Sequence, residues 1–350
     1  MPLTAATGNR FAYMPFDTAF DAAHRDGLFR EVGRLYREDG RLGEDWRTML
    51  ERLRSAGAAN LNLGRLLEGH ANAVQLLRLY GSRRQHARLE AMLEKDAILG
   101  VWGADADPPL TVAADGRGIV LHGGKRYASG LGIVSHAIVP IKREDGSQQL
   151  YCVPADDPAR QNGEGWRMSG MQASASGTYD FEGLRLDADA MLGEPGDYAI
   201  EPFLQGGIWR CAAVHLGGIE AIMMLMARHL EATGRIEHPL QTERLGQAIL
   251  HARTAALWVE DAARTVETVD SDDHAAIALA VAGASYTRLQ VEADGLAVSE
   301  IARRAVGLSS FEAGNPLDSA VRDLAVYMRQ ANPDALLLHK CRVLAETYLK

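Results

Sequence analysis

The side chains with intrinsic reactivity are spaced in ways that exclude several kinds of chemistry. Thiolates and imidazoles hold zinc only at short, defined intervals. Cys152, Cys211 and Cys341 are odd in number and far apart, and neither a CxxC pair nor a Cys/His pair has that spacing. A disulfide framework is not indicated either. The eleven histidines are scattered, with no i, i+4 pair to place two rings on one helix face. A serine nucleophile on an α/β-hydrolase needs a G-x-S-x-G elbow, and Ala173-Ser-Ala-Ser-Gly177 lacks the first glycine. Gly130-Leu-Gly132 lies between strand-like segments rather than opening a helix, so it does not form a dinucleotide fingerprint. Neither a GxxxxGK[ST] phosphate loop nor an HExxH motif occurs. No metal site is expected.

The chain's balance of charge narrows the partners. Against 37 basic residues stand 46 acidic ones, a net charge of −9 in 350 residues. Nucleic acid and anionic membrane surfaces call for a basic field, so neither is expected as the main partner. With 47% hydrophobic and 24% charged residues, the composition is that of a globular protein of about two or three domains. The opening MPLTAATGNRFAYMP has no basic region followed by an apolar one. The purely apolar stretches, such as Ala221–Ala227, fall short of the roughly 18 residues of a bilayer span. A cytoplasmic location is expected.

Three zones must position whatever site exists. Residues 1–99 read as a helical domain: Asp17 caps a segment through Glu38, followed by helices over Glu44–Ser55, Asn60–Leu79 and Arg84–Leu99. Residues 100–195 read as a β domain. Ile119–His122 and Lys125–Ser129 flank the glycines 123 and 124. His136–Lys142 and Gln148–Val153 flank Asp145-Gly146, a hairpin signal because that pair tolerates positive φ, and Tyr179–Leu186 is one further strand. Residues 196–350 read as a bundle of long helices. Phe203–Glu231 carries an apolar stripe, Thr242 caps a helix to about Thr268, and Asp272 or Asp273 caps another to Ala305. Asn315-Pro316 and Asn332-Pro333 each place a cap before proline.

Within this helix–β–helix order, four segments resemble the acyl-CoA dehydrogenase superfamily of flavoproteins. Gly123-Gly-Lys-Arg-Tyr-Ala-Ser-Gly-Leu131 is similar to that family's Gly-x-Lys-x-Trp-Ile-Thr-Asn-Gly strand. The run from Trp166 to Leu186, ending at Met191-Leu-Gly193, resembles its Gly-Met-Arg signature and the strands that follow. Arg235-Ile-Glu-His-Pro239 stands where the family has Arg-x-x-Phe-Gly. Gly307-Leu-Ser-Ser-Phe311, with Pro316-Leu-Asp-Ser-Ala-Val-Arg-Asp323, resembles Gly-Gly-x-Gly-Phe and the Arg-Asp helix. Together they place about residues 60 to 335 in the family. The fold class implied is mostly α with a central β domain: an N-terminal helical domain, a middle β-barrel-like domain and a C-terminal four-helix bundle.

The resemblance implies FAD as cofactor, between the β domain and the bundle, and a homodimer or homotetramer that shares it. Tyr127 would flank the isoalloxazine ring, and Ser129 would bond near flavin N5, where a hydroxyl donor stabilises charge on reduction. Trp102 and Ala104 stand in the family's flavin segment, here Gly100-Val-Trp-Gly-Ala-Asp-Ala-Asp-Pro-Pro109, and Arg235, His238, Arg304 and Gly307 would contact the dinucleotide. A dehydrogenase acting on an acyl thioester, carried by CoA or a carrier protein, also needs a carboxylate to take the α-proton. At the family's two positions for that base stand Ala331 and Trp209-Arg210. No catalytic residue is therefore assigned, although Glu201, Glu243 and Glu312 are conceivable replacements. The leading expectation is an acyl-CoA-dehydrogenase-like oxidoreductase with a relocated base or altered chemistry, its electron acceptor open. One alternative is a flavin monooxygenase on the same fold: Ala128-Ser-Gly130 resembles that branch, but Gln330 and Ala331 replace its histidine and His339 comes too late. Another is a non-catalytic homologue that binds flavin or a partner.

Overall fold

The computed structural model describes residues 13–116, 118–330, 338, 342–347 and 349. Among the described residues five α-helices come first: α1 (Phe16–Arg25), α2 (Leu28–Arg34), α3 (Trp46–Ala59), α4 (Leu61–Tyr80) and α5 (Arg83–Glu94). Asp17 lies in the first turn of α1 rather than at its cap, and the expected single helix to Glu38 breaks at Gly27, whose φ is +67°. That left-handed conformation suits a residue without Cβ. Asn60 caps α4 by accepting from the Asn62 amide, and Ser82 and Gln85 form a reciprocal capping box that starts α5. The helix expected to reach Leu99 ends at Glu94, because Ile98–Val101 is already the first strand, β1.

The middle of the chain holds three small sheets. β1 pairs in parallel with β5 (Val134–Lys142), which pairs antiparallel with β6 (Gln148–Pro154) and through it with β10 (Met191–Leu192). The β5–β6 hairpin turns at Asp145-Gly146, where Gly146 has φ +85°. A second sheet joins β2 (Thr111–Asp115), β3 (Gly118–His122) and β9 (Leu184–Leu186), and a third joins β4 (Gly124–Ala128), β8 (Gly177–Asp180) and β7 (Gln161–Asn162). Two expectations therefore change. The glycines after β3 carry the chain from one sheet to another rather than closing a hairpin, and Tyr179–Leu186 divides into β8 and β9 at a turn through Gly183.

Four long helices follow: α6 (Trp209–Ala232), α7 (Pro239–Thr268), α8 (His274–Val306) and α9 (Pro316–Tyr327). Asp273 and Asn315 cap α8 and α9 as expected. The cap of α7 is His238, with proline at the first helical position, and not Thr242. Asn332-Pro333 lies outside the described residues. Helix α6 is the hub, packing on α3, α4, α7, α8 and α9. The segment Gly206–Ala232 is long and apolar enough to cross a bilayer by composition, but 83% of that window is buried inside the bundle. Its approach to α3 depends on glycine. A Cβ on Gly217 would lie 2.0 Å from the Arg54 carbonyl oxygen, and one on Gly57 would lie 2.2 Å from that of Val214.

Candidate functional site

β4 ends on an irregularity that exposes one ring. Its register against β8 shifts between Arg126 and Ala128, and Tyr127 sits there with φ +55°. A left-handed bulge on a non-glycine residue re-aims the side chain. The Tyr127 ring is 49% exposed, meeting Trp166 edge-on at 6.2 Å with the Arg126 guanidinium 5.0 Å from its centroid. Two residues on, Ser129 is buried and fixed on both its atoms. Its carbonyl accepts from the Trp102 indole N–H at 3.0 Å, and its Oγ accepts from the Ser176 hydroxyl at 3.0 Å. Ser176 Oγ lies 2.8 Å from Ser174 Oγ, which donates to the Met171 carbonyl at 2.7 Å. Because Ser129 accepts from Ser176, its own O–H proton is left for a ligand.

The loop after β1 is held by a buried ammonium. Lys125 Nζ donates to the carbonyls of Gly103 (3.2 Å) and Pro140 (2.7 Å) and to Asp105 (2.6 Å). Burial lowers the lysine's pKa, and Asp105 opposes that shift. The loop so held leaves Ala104 half-buried and Gly103 in open space, where a Cβ would meet nothing within 4 Å. Trp102 behaves differently. Its ring is fully buried against Tyr179 and Phe181, so it positions Ser129 and does not offer its face to a ligand.

The other candidates gather at one end of the bundle, where Gln241 near the start of α7 reaches the Ala305 carbonyl near the end of α8. Arg235 bonds Thr233 (3.0 Å) and His229 (2.8 Å), and the His238 ring accepts from the Leu240 amide. Arg304 is exposed and pairs with Glu300, and Gly307 ends α8 with φ +85°. The structure thus makes two groups: Trp102, Ala104, Tyr127 and Ser129 on the β domain, and Arg235, His238, Arg304 and Gly307 on the bundle.

The Arg-Asp pair of α9 clamps the loop that carries the serine chain. Asp323 accepts from the Met171 amide and the Tyr13 hydroxyl, both at 2.5 Å, and from Asn62 Nδ2 at 3.0 Å. Arg322 donates to the Ser169 carbonyl at 2.8 Å. Gly170 is pressed against this helix, since a Cβ there would lie 2.2 Å from the Arg322 carbonyl oxygen.

A cavity of about 230 Å³ opens beside the β1 end, between α4, the start of α6 and the segment 198–208. Val101 lines it, and the next residue is the tryptophan that holds Ser129. Its polar wall was not foreseen: Glu68, Asn72 and Gln75 of α4, with Arg210 and Cys211 of α6. The signal in the sequence was a polar repeat, Arg65-x-x-Glu68-x-x-x-Asn72-x-x-Gln75, at helical spacing inside an apolar helix. Burial holds the Cys211 thiol neutral, its pKa pushed up to about 12. The three glutamates considered as bases have other surroundings. Glu201 accepts from the Gln205 and Gly206 amides, Glu243 from Gln247, and Glu312 is exposed. Ala331, His339 and Cys341 lie outside the described residues. Among the described residues, no cluster of three or more His, Cys, Asp or Glu side chains is able to hold a metal.

No protein-family model matches the chain. Curated relatives include a dibenzothiophene monooxygenase of Rhodococcus qingshengii, 29% identical over 181 residues, which is 47% of this chain and 42% of the relative. A dibenzothiophene monooxygenase of Rhodococcus erythropolis is 25% identical over 268 residues, covering 67% of this chain and 63% of the relative. The chain therefore spans about two fifths to two thirds of the length of these relatives. Among solved structures, FMN-bound TdsC of Paenibacillus sp. A11-2 superposes with a TM-score of 0.81 at 17% identity, covering 96% of this chain and 91% of that one. Butyryl-CoA dehydrogenase of Megasphaera elsdenii superposes at 0.76 and 15% identity, covering 96% and 94%.

Proposed function

Since the chain has the acyl-CoA dehydrogenase fold, we propose that it is a flavin-dependent monooxygenase, placing one atom of dioxygen on a small aromatic substrate. This replaces the leading expectation of an acyl thioester dehydrogenase with the alternative. The observation that carries it is the sequence similarity to dibenzothiophene monooxygenases. The site agrees in two respects. Neither family position for an α-proton base holds a carboxylate. The proposed substrate space beside β1, at about 230 Å³, is smaller than the roughly 300 Å³ at which drug-sized pockets begin, which restricts it to a compact aromatic body.

The residues present fit a flavin. Tyr127 offers an exposed ring on a bulge, Ser129 an unused O–H proton, and Gly103 an open approach to backbone. When bound, reduced flavin supplies the redox chemistry: two electrons and two protons reduce O₂, so that one oxygen goes to the substrate and the other leaves as water. Tyr127 would pack the ring. Ser129, oriented by Ser176 and Trp102, would direct its proton at the ring nitrogen facing it. The helices around the cavity would exclude water, and the cavity's polar wall would orient the substrate.

For the cofactor we favour the mononucleotide, as TdsC is FMN-bound. What supports this here is that the residues proposed for the dinucleotide already have partners: Arg235 has Thr233 and His229, and His238 caps α7. A homo-oligomer is proposed through the face of α7 on which Leu250 and Leu257 are 67% and 52% exposed.

The test is single turnover. Protein with photoreduced FMN and an aromatic panel under ¹⁸O₂ should give a product 18 mass units heavier. Anaerobic bleaching of bound flavin by an acyl-CoA, with no labelled product, would overturn the proposal and restore the dehydrogenase.

A further inference from the structure

We infer that Glu68 is the specificity residue of the cavity, accepting a hydrogen bond from the ring N–H or O–H of a neutral aromatic substrate. This rests on the monooxygenase reading for the reaction, but the binding claim stands on the cavity itself. Glu68 is 7% exposed and is the one carboxylate among the residues described as lining the space. Its two oxygens accept from Arg65 and Asn72, one each. A carboxylate oxygen has room for a second donor, so both remain able to receive a ligand.

The neighbouring polar groups have less to offer. Arg210 donates to Asn72 Oδ1 (2.6 Å) and Gln75 Oε1 (2.8 Å) and stands 3.5 Å from Glu267. Each amide oxygen thus has one donor, as each Glu68 oxygen does, but is neutral and so the weaker acceptor, and Gln75 Nε2 donates to the Gly40 carbonyl at 3.2 Å. The charges pair, Arg65 with Glu68 and Arg210 with Glu267, so these four carry no net charge, although Arg210 Nη1 keeps a buried N–H without a hydrogen-bond partner. Glu68 is left as the one charged acceptor in a lining that also holds the neutral polar groups of Tyr198, Gln205, Cys211 and Gln330 among apolar side chains such as Leu76, Val101 and Phe203. A substrate that satisfies it carries a donor. Dibenzothiophene, named in the curated relatives, has none, so this cavity is built for a different ring.

Two neutral bicyclic probes of nearly equal shape separate the possibilities: indole, with a ring N–H, and benzothiophene, with sulfur in its place. Calorimetric titration of the flavin-free chain measures each dissociation constant, and thermal melting of Glu68→Gln checks that the variant folds. A hydrogen bond to a charged acceptor is worth about tenfold or more in affinity. Wild type should bind indole more tightly than benzothiophene, and E68Q should reduce that preference about tenfold with benzothiophene little changed. Benzothiophene binding wild type as tightly as indole overturns the inference, and needs no variant. So does an equal loss for both probes in E68Q, which would leave Glu68 only a partner for Arg65, and so does failure of wild type to bind either. Because flavin is absent from the titration, loss of the monooxygenase reading would show only in the oxygen-label experiment.

Discussion

Asp323→Asn tests whether the Arg-Asp helix is a clamp or part of the chemistry. The carboxylate takes three donors from parts of the chain far apart in sequence: Met171 N, Tyr13 Oη and Asn62 Nδ2. Asparagine keeps one oxygen, which can still accept from the Met171 amide, but that bond loses its charge assistance. Its NH₂ then faces Tyr13, whose hydroxyl can turn to accept, and Asn62 Nδ2, which cannot. One charged bond made neutral costs about 1 kcal/mol, and one buried donor facing another about 1–3 kcal/mol, roughly 2–4 kcal/mol in all. At about 2 °C per kcal/mol for a large domain, the melting temperature should fall by about 4–8 °C in scanning fluorimetry. Asp323→Ala leaves the Met171 amide and the Tyr13 hydroxyl without that acceptor and Asn62 Nδ2 with only Asn60 Oδ1, and should fall further. Because Met171 also receives the Ser174 hydroxyl, the loosened loop should weaken flavin binding in the same variants. An Asp323→Asn protein melting within 1 °C of wild type would refute the clamp.

Two further outcomes follow from the packing. His70 is buried, with Nε2 3.0 Å from the Phe29 carbonyl and Nδ1 accepting from the Leu99 amide at 3.1 Å; burial lowers its pKa to about 4. Since the unfolded chain binds this proton first, the stability His70 contributes is full above about pH 6.5 and declines as pH falls towards 4, by up to about 3 kcal/mol. Urea midpoints should decline over that window and decline less in His70→Gln, and equal slopes would reject the assignment. Gly217→Ala drives a methyl into the Arg54 carbonyl, so α3 and α6 must separate, at a cost of about 1–3 kcal/mol or more. A chemical-denaturation midpoint unchanged by Gly217→Ala would show that the crossing has slack.

What the sequence made legible was what it encodes locally. Asp273 and Asn315, expected as caps, act on amides two or three residues away, and so do Asn60 and Ser82, whose capping only the structure brings out although the same spacing marks them. His238-Pro239 is equally local, but Thr242 lies where an N-cap is also plausible, and only the backbone decides between them. Periodicity and turn signals placed the helix–β–helix order, the resemblance named the fold, and the structure has both. It did not convey what Asp323 does, because Tyr13 is 310 residues away and no periodicity relates them. Trp102 stands in the segment expected to line the flavin, yet its ring is core; whether a side chain faces ligand or sheet depends on partners such as Tyr179 and Phe181. The α4 wall was hidden for another reason. Leu61–Tyr80 is buried on nearly every side, so its apolar repeat and its polar repeat coexist, and the apolar one dominates a reading by hydrophobicity.

The carboxylate missing from the dehydrogenase positions, at the start of α6 and after α9, and the carboxylate found on α4 stand on different elements of the fold. A base that takes a proton from carbon needs an oxygen free to receive it and aimed at the C–H. Glu68 has a donor on each oxygen, Arg65 on one and Asn72 on the other, and each oxygen keeps room for one more. The same two donors fix the carboxylate in place. That makes it a good fixed acceptor, able to orient a ring by its N–H or O–H while the reaction takes place elsewhere on that ring. Orientation is what an oxygen transfer would require of the protein, since dioxygen supplies the oxidising power, reduced flavin the electrons, and the selectivity comes from which substrate atom faces them. The arrangement of α4 therefore agrees with oxygen chemistry on a bound aromatic ring better than with proton abstraction from a thioester.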